Sequence, residues 1–391
     1  MKYFIEFIIF STETRAILTT QLKPMSILKM FKPSTLLIIF FALLSFVSCK
    51  KNSNSPNPVQ AKKLDTDVYI TGYVYGVNGS QPTIACYWKN GVLHKIAPDT
   101  TLSSEACGIF IKDTDVYISA NTNIFSEGIY LKNGVIAGNF ANSYVNGITV
   151  SGNDVYVTGS YTNGILGQQA VYWKNGSMVS LTSPQQFAAG QNIAINGNDI
   201  YVAGVTNNLS GPFVYATVWK NGTATTLGQI SPAEYVNISL LNYKDGFVDM
   251  ALNGSDTYVS GMEEYRYGEH YYPSYWKNGM FTPLGDTTTS SGVTTGVAVH
   301  NGIPYFVGYN PNIDASTVSY WANNIQTMLT TGADINKDYT PTGITFAGND
   351  MYVCAYSNLG RLSSIIYWKN KTKVVVYNGY AVATGIGVVV H

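Results

Sequence analysis

The densest collection of side chains able to do chemistry lies between Met262 and Trp276, where the sequence reads MEEYRYGEHYYPSYW. Glu263, Glu264, Arg266, Glu269 and His270 are interleaved there with Tyr265, Tyr267, Tyr271 and Tyr272. Rigid aromatic rings that stack, and carboxylates that accept from hydroxyls, are what a carbohydrate or peptide site uses. Adjacent Glu263 and Glu264 do not make an acid/base pair if this segment is extended, because neighbours on a strand point to opposite faces. The histidines, His94, His270, His300 and His391, are scattered without the spacing of a zinc site. Asp334, Asn336 and Asp338 begin like a calcium loop, but Tyr339 holds the glycine position and no Glu closes it. There is no P-loop and no G-x-S-x-G, so neither a cofactor nor a metal is expected.

The elements that must carry these residues are read from a repeat. The phrases DVYITG, DVYISA, DVYVTG, DIYVAG, DTYVSG, IPYFVG and DMYVCA place a tyrosine at 69, 117, 156, 201, 258, 305 and 352. The intervals are 48, 39, 45, 57, 47 and 47 residues, the range of propeller blades. Behind each comes a second phrase, YWKNG or a variant. All six tryptophans, Trp88, Trp173, Trp219, Trp276, Trp321 and Trp368, occupy its one aromatic position, with Leu131 standing in once. Asn-Gly between β-formers is a hairpin signal. Each unit therefore divides into four short strands, joined by two tight turns and two variable connections, with the variable connections gathered at one face.

A residue present in every unit is explained by packing between neighbouring sheets, so the repeated Trp and Tyr are assigned to structure. The repeated Asp (67, 115, 154, 199, 256 and 350) is read likewise, as a turn residue bonding its own backbone. Function is sought where units differ. Nine residues before each Tyr the series reads Gly108, Gly147, Asn192, Asp249, Gly296 and Gly343, with Gly385 its counterpart at the end of the chain. Asn192 and Asp249 thus place polar groups in adjacent units, at the mouth of a channel if this strand lines one. The longest connection, from Trp219 to Tyr258, lies in the same region.

The ends fix the closure. The first unit starts at DVYITG with no strand before it, and the chain finishes ATGIGVVVH, which is that missing strand. The expected fold is an all-β, seven-bladed β-propeller of four-stranded blades over residues 64–391, closed by the C-terminal strand completing the first blade. Closure removes sheet edges that would invite aggregation.

Residues 1–48 read as a signal peptide with an upstream extension. Leu36 to Val47 form an apolar run too short to span a bilayer, preceded by Lys29 and Lys32. The string LLSFVSC resembles a bacterial lipobox, which implies lipidation of Cys49. Residues 49–63 are polar and rich in Asn, Ser and Pro, as a flexible tether would be. Lys50 in place of Asp favours the outer membrane or cell surface, with membrane attachment through the lipid alone. The remaining cysteines, Cys86, Cys107 and Cys354, lack C-x-x-C spacing. Cys86 and Cys354 fall where other units have Ala, Thr or Ser and read as small buried residues, while an exported compartment would permit a Cys86–Cys107 disulfide.

The VYWKNG and VYVTG phrases resemble those of bacterial extracellular repeat lipoproteins and, distantly, the HAF-type extracellular repeat. That family has no settled activity, so the resemblance implies a fold and a location only. Lys+Arg and Asp+Glu number 23 each, which gives no basic face for nucleic acid. The expected function is a non-enzymatic binding or scaffold module whose partner is a carbohydrate, a peptide or an envelope protein. The alternatives are a glycan lyase or hydrolase at the channel mouth, and a structural subunit of an envelope complex.

Overall fold

Twenty-eight strands of four to ten residues follow one another with no helix between them among the described residues. The computed structural model describes residues 65–76, 82–96, 102–123, 127–162, 164, 167–207, 213–232, 248–265, 270–285, 292–310, 317–331, 338–359 and 362–391. The expected signal peptide, Cys49 and the tether lie outside them.

The strands form seven antiparallel four-stranded sheets. Blade 1 takes β1 (Thr66–Val74), β2 (Ile84–Lys89) and β3 (Val92–Lys95). Blade 2 is β4 (Glu105–Lys112), β5 (Asp115–Asn123), β6 (Glu127–Lys132) and β7 (Val135–Ala141). Blade 3 is β8 (Ser143–Ser151), β9 (Asp154–Thr162), β10 (Gln168–Lys174) and β11 (Ser177–Ser180). Blade 4 is β12 (Ala188–Asn196), β13 (Asp199–Asn207), β14 (Phe213–Lys220) and β15 (Thr223–Pro232). Blade 5 is β16 (Met250–Asn253), β17 (Asp256–Tyr265), β18 (His270–Lys277) and β19 (Met280–Pro283). Blade 6 is β20 (Val293–His300), β21 (Ile303–Asn310), β22 (Thr317–Ala322) and β23 (Ile325–Met328). Blade 7 is β24 (Tyr339–Ala347), β25 (Asp350–Leu359), β26 (Leu362–Lys369) and β27 (Thr372–Asn378). The last strand, β28 (Ala381–Val390), returns to pair antiparallel with β1, from Thr66 opposite Val390 to Val74 opposite Ala381.

The first strand of each blade touches that of the next, in the order β28, β4, β8, β12, β16, β20, β24 and back to β28. The chain is therefore a closed seven-bladed ring with these strands innermost, as the sequence predicts. Two-residue turns join inner to second and third to outer strands, so all of them lie at one end of the ring, here called the turn end. The other connections, which vary in length, lie at the opposite, connection end. Asp65 accepts a 2.9 Å hydrogen bond from the backbone of His391, so the first described residue and the last are both at the turn end.

Sheets meet face to face through the tryptophans. Each packs back onto the preceding blade: Trp88 with Tyr352, Cys354 and Ile365, Trp173 with Phe140 at 4.6 Å, and Trp368 with Val307, Val318 and Leu329. Leu131 does the same with Tyr69 and Ala85. Burying an indole removes on the order of 200 Å² from water, about 5 kcal/mol before entropy is counted, so one Trp per seam explains the repeat. Cys86, Cys107 and Cys354 are buried thiols, with no disulfide between Cys86 and Cys107.

The repeated polar residues form a clip, with a partner the sequence did not suggest. In six blades the Asp carboxylate pairs with the Lys of the KNG phrase, at 2.7–2.8 Å, not with its own turn. Its second oxygen accepts from the adjacent Asn side chain, as in Asn90 to Asp67 at 2.7 Å and Asn370 to Asp350 at 3.0 Å. The Asn oxygen in turn accepts from the backbone N–H of the residue after the Asp, as Val68 and Met351 donate at 2.8 and 3.0 Å. The Lys ammonium lies over the repeat Tyr ring, 5.1–5.4 Å from its centroid in these blades. The Asn backbone is left-handed, φ 50 at Asn90, Asn175 and Asn221, which Asn tolerates better than other side chains. One clip thus ties both hairpins of a blade together.

Candidate functional site

The seven positions nine residues before the Tyr are seams between inner strands. A Cβ on Gly108 would lie 2.5 Å from the carbonyl oxygen of Asn146, and one on Gly147 would lie 2.9 Å from that of Gln191. Glycine there lets neighbouring inner strands approach. In six blades the ladder shifts register at this point, which leaves Cys107, Asn146, Gln191, Thr295, Thr342 or Thr384 as an extra residue beside the seam.

Asn192 and Asp249 occupy the two seams that lack glycine, and the structure brings them together. The Asn192 side-chain amide donates to Oδ1 of Asp249, which also accepts from the Met250 backbone at 3.0 Å. Oδ2 accepts from the Val297 backbone at 3.0 Å. One half-buried carboxylate therefore joins blades 4, 5 and 6, with much of its accepting capacity directed to protein donors. The two residues share one position in adjacent repeats, and their mutual bond follows from ring closure.

Glu263, Glu264 and Tyr265 end β17, and His270 begins β18. Glu263 pairs in register with Tyr272, Glu264 with Tyr271 and Tyr265 with His270. The charged and aromatic segment is thus largely a hairpin ladder that ends at the connection end. Arg266, Tyr267 and Glu269 lie outside the described residues.

A second polar group at the blade 2–3 seam was not found from the sequence. Glu105 is 3% exposed, the one acidic or basic residue buried to that degree among the described residues, and it accepts from the Tyr144 hydroxyl at 2.9 Å. Burial pushes that hydroxyl well above the usual phenol range, with Cys107 and Glu105 adding to the effect. Asn121 donates to Cys107 Sγ at 3.1 Å and to the Val145 carbonyl at 3.0 Å, and accepts from the Val145 N–H at 2.8 Å. In blades 3 and 4, the side-chain amide oxygens of Asn146, Gln191 and Asn207 are buried without a hydrogen-bond partner. The only signal in the sequence was that Glu105 and Asn121 break the apolar pattern at their strand ends. Among the described residues no group of His, Cys, Asp and Glu is placed to hold a metal.

No family model matches the chain, and no curated protein matches it in sequence. Solved structures resemble it in outline. The β-propeller domain of the Trilobed protease from Pyrococcus furiosus, in which an open velcro topology was found, aligns with a TM-score of 0.48 at 10% identity, over 80% of this chain and 95% of that one. The acylaminoacyl peptidase of Pyrococcus horikoshii gives 0.45 at 11% identity over 80% of this chain, which spans about half (51%) of that enzyme. Trypanosoma rangeli sialidase in complex with sialic acid gives 0.40 at 12% identity, over 76% of this chain and 56% of that one.

Proposed function

We propose that the chain is a lipid-anchored binding module of the cell envelope, held through Cys49 and presenting the connection end of its ring to a carbohydrate, a peptide or an envelope protein. The observation that carries this reading is how the charged side chains are divided between the two ends of the ring. The charged residues of the repeat are spent in clips at the turn end, whereas the non-repeated Glu263, Glu264 and His270 stand at the other. A glycan lyase or hydrolase using Asp249 is the less favoured reading, because that carboxylate already accepts from Asn192, Met250 and Val297. A structural subunit would call for one continuous apolar patch. The exposed apolar residues of the outer strands, such as Val92, Val135, Met178, Met280, Ile325 and Val375, are instead spread over six blades.

The test is a thermal-shift screen of the full chain against glycans, peptides and divalent metals. A ligand that binds only the folded state raises its stability, by roughly 2.7 kcal/mol at a hundredfold excess over the dissociation constant. The expected result is a shift with one ligand class that disappears in Arg266→Ala/Glu269→Ala, with the melting temperature of the free protein unchanged. Turnover of a glycan, lost in Asp249→Asn while binding persists, would replace this reading with the enzyme.

A further inference from the structure

Blade 6 departs from the other six at the turn end, and three departures converge on one side chain. In the other blades the clip Asn is held twice, by the Asp carboxylate and by a backbone N–H. In blade 6 the Asp position is Ile303, the next residue is Pro304, which has no N–H to give, and the Lys position is Ala322. Asn323 nevertheless keeps the left-handed backbone of its counterparts, with φ 50, and Asn324 follows at φ 62 where five blades have glycine. Its amide, released from both partners, borders a cleft of about 260 Å³ between blades 5 and 6. Asn324 borders the cleft from the same blade, and Tyr258, Tyr275 and Lys277 border it from blade 5.

We propose that this cleft is a saccharide site that takes one neutral pyranose unit. A primary amide presents a donor and an acceptor side by side, which matches two neighbouring hydroxyls, and here two amides stand on consecutive residues. The phenol groups of Tyr258 and Tyr275 add further polar atoms to an aromatic wall that Phe306 extends, stacked on Tyr275 at 4.3 Å. Such a mixture of ring surface and a few placed polar groups suits a sugar, with its apolar CH faces and its rim of hydroxyls. The single cation in the lining does not select an anion, because Lys277 is paired with Asp256 at 2.8 Å. The volume is below the roughly 300 Å³ at which drug-sized pockets begin, so one ring is accommodated and not an oligomer. The site is at the end of β17 and β18 opposite the tip of their hairpin, where Tyr265 pairs with His270, and does not depend on the reading given for that tip.

The clip itself supplies the test. Ile303→Asp, Pro304→Val and Ala322→Lys, made together, restore both partners of Asn323 and should take its amide out of the cleft without loss of stability. The full chain, in a detergent without a sugar headgroup, is titrated with glucose, galactose, mannose, N-acetylglucosamine and their β1,4-linked disaccharides, with saturation-transfer NMR and calorimetry as readouts. One of these sugars is expected to bind, and the triple variant to weaken it at least tenfold while melting at or above the parent temperature. Asn323→Gly keeps the left-handed backbone and removes the amide, so the same loss is expected from it even if the triple variant fails to fold. Arg266→Ala/Glu269→Ala should leave this binding unchanged. Absence of binding by every sugar in the panel, or full affinity in Asn323→Gly, would overturn the proposal.

Discussion

At the scale of single residues, the clip explains why one polar phrase recurs when its blades differ elsewhere. Asp67 is held by the Lys89 ammonium, and also by Asn90 and His391, which lower its pKa from 3.8 to about 2. The same cause, led in each case by the paired lysine, lowers Asp115, Asp154, Asp199, Asp256 and Asp350. The unfolded chain binds protons to these groups more tightly than the folded one, so their contribution is present above the ordinary carboxylate range and is lost as pH falls below it, towards 2 for Asp67. The melting temperature should be flat with respect to these groups from pH 7 to 5 and fall between pH 4 and 2. In Asp67→Asn that acid-side fall should be smaller, because the variant has already lost the pair at neutral pH. A profile that does not distinguish the two proteins would deny the Asp67 clip any energetic role. That the Asp was structural could be read from its repetition. Its partner could not, because the Lys and Asn sit about twenty residues along the chain and are brought to it only by the pairing of the second and third strands.

At the scale of elements, ring closure was legible because a strand was missing at one end of the repeat and present at the other. Two other features were hidden. The hairpin of β17 and β18 reads as a loop, since its charges and glycine are what a connection contains, yet its tyrosines are good strand formers and extend the ladder to Tyr265 opposite His270. The register shifts of the inner strands had no signal of their own, because they arise from the approach of seven strands round one axis. Closure makes β28 the strand with the most to lose. It supplies the pairing edge of β1, contacts β4 and β24, and sends the Thr384 hydroxyl 2.7 Å to the Ala106 carbonyl of blade 2. Removing residues 381–391 should therefore destabilise every blade and not blade 1 alone. Urea unfolding should show a lower midpoint and a broadened transition. A truncated chain that melts as the full chain does would mean that the ring holds without its closing strand.

For the whole molecule, the ring turns small local differences into connections between blades. Glu105 and Tyr144 are 39 residues apart and share a hydrogen bond because their blades are neighbours. Asn192 and Asp249 are 57 apart and do the same. Nothing in composition distinguishes these pairs from solvated side chains, which is why the first was missed and the second could be named only by its place in the repeat. Asp249 is the more consequential, since it accepts from blade 4 through Asn192 and from blade 6 through the Val297 N–H. Hydrogen bonds to a charged group contribute about 1.5–3 kcal/mol each, and removing the acceptor also leaves half-buried donors unpaired. Asp249→Ala should therefore cost about 3 kcal/mol in urea unfolding, and Asn192→Ala about 1–2 kcal/mol, by the same magnitudes. Because the two share one bond, the double variant should cost less than the sum, with a coupling of about 1 kcal/mol or more. A binding or scaffold protein would then lose ligand affinity in Asp249→Ala only in step with its stability. If Asp249→Ala instead unfolds at the parent urea concentration while ligand binding or turnover disappears, the carboxylate serves the ligand and not the ring, and the place where blades 4, 5 and 6 meet becomes the functional centre of the molecule.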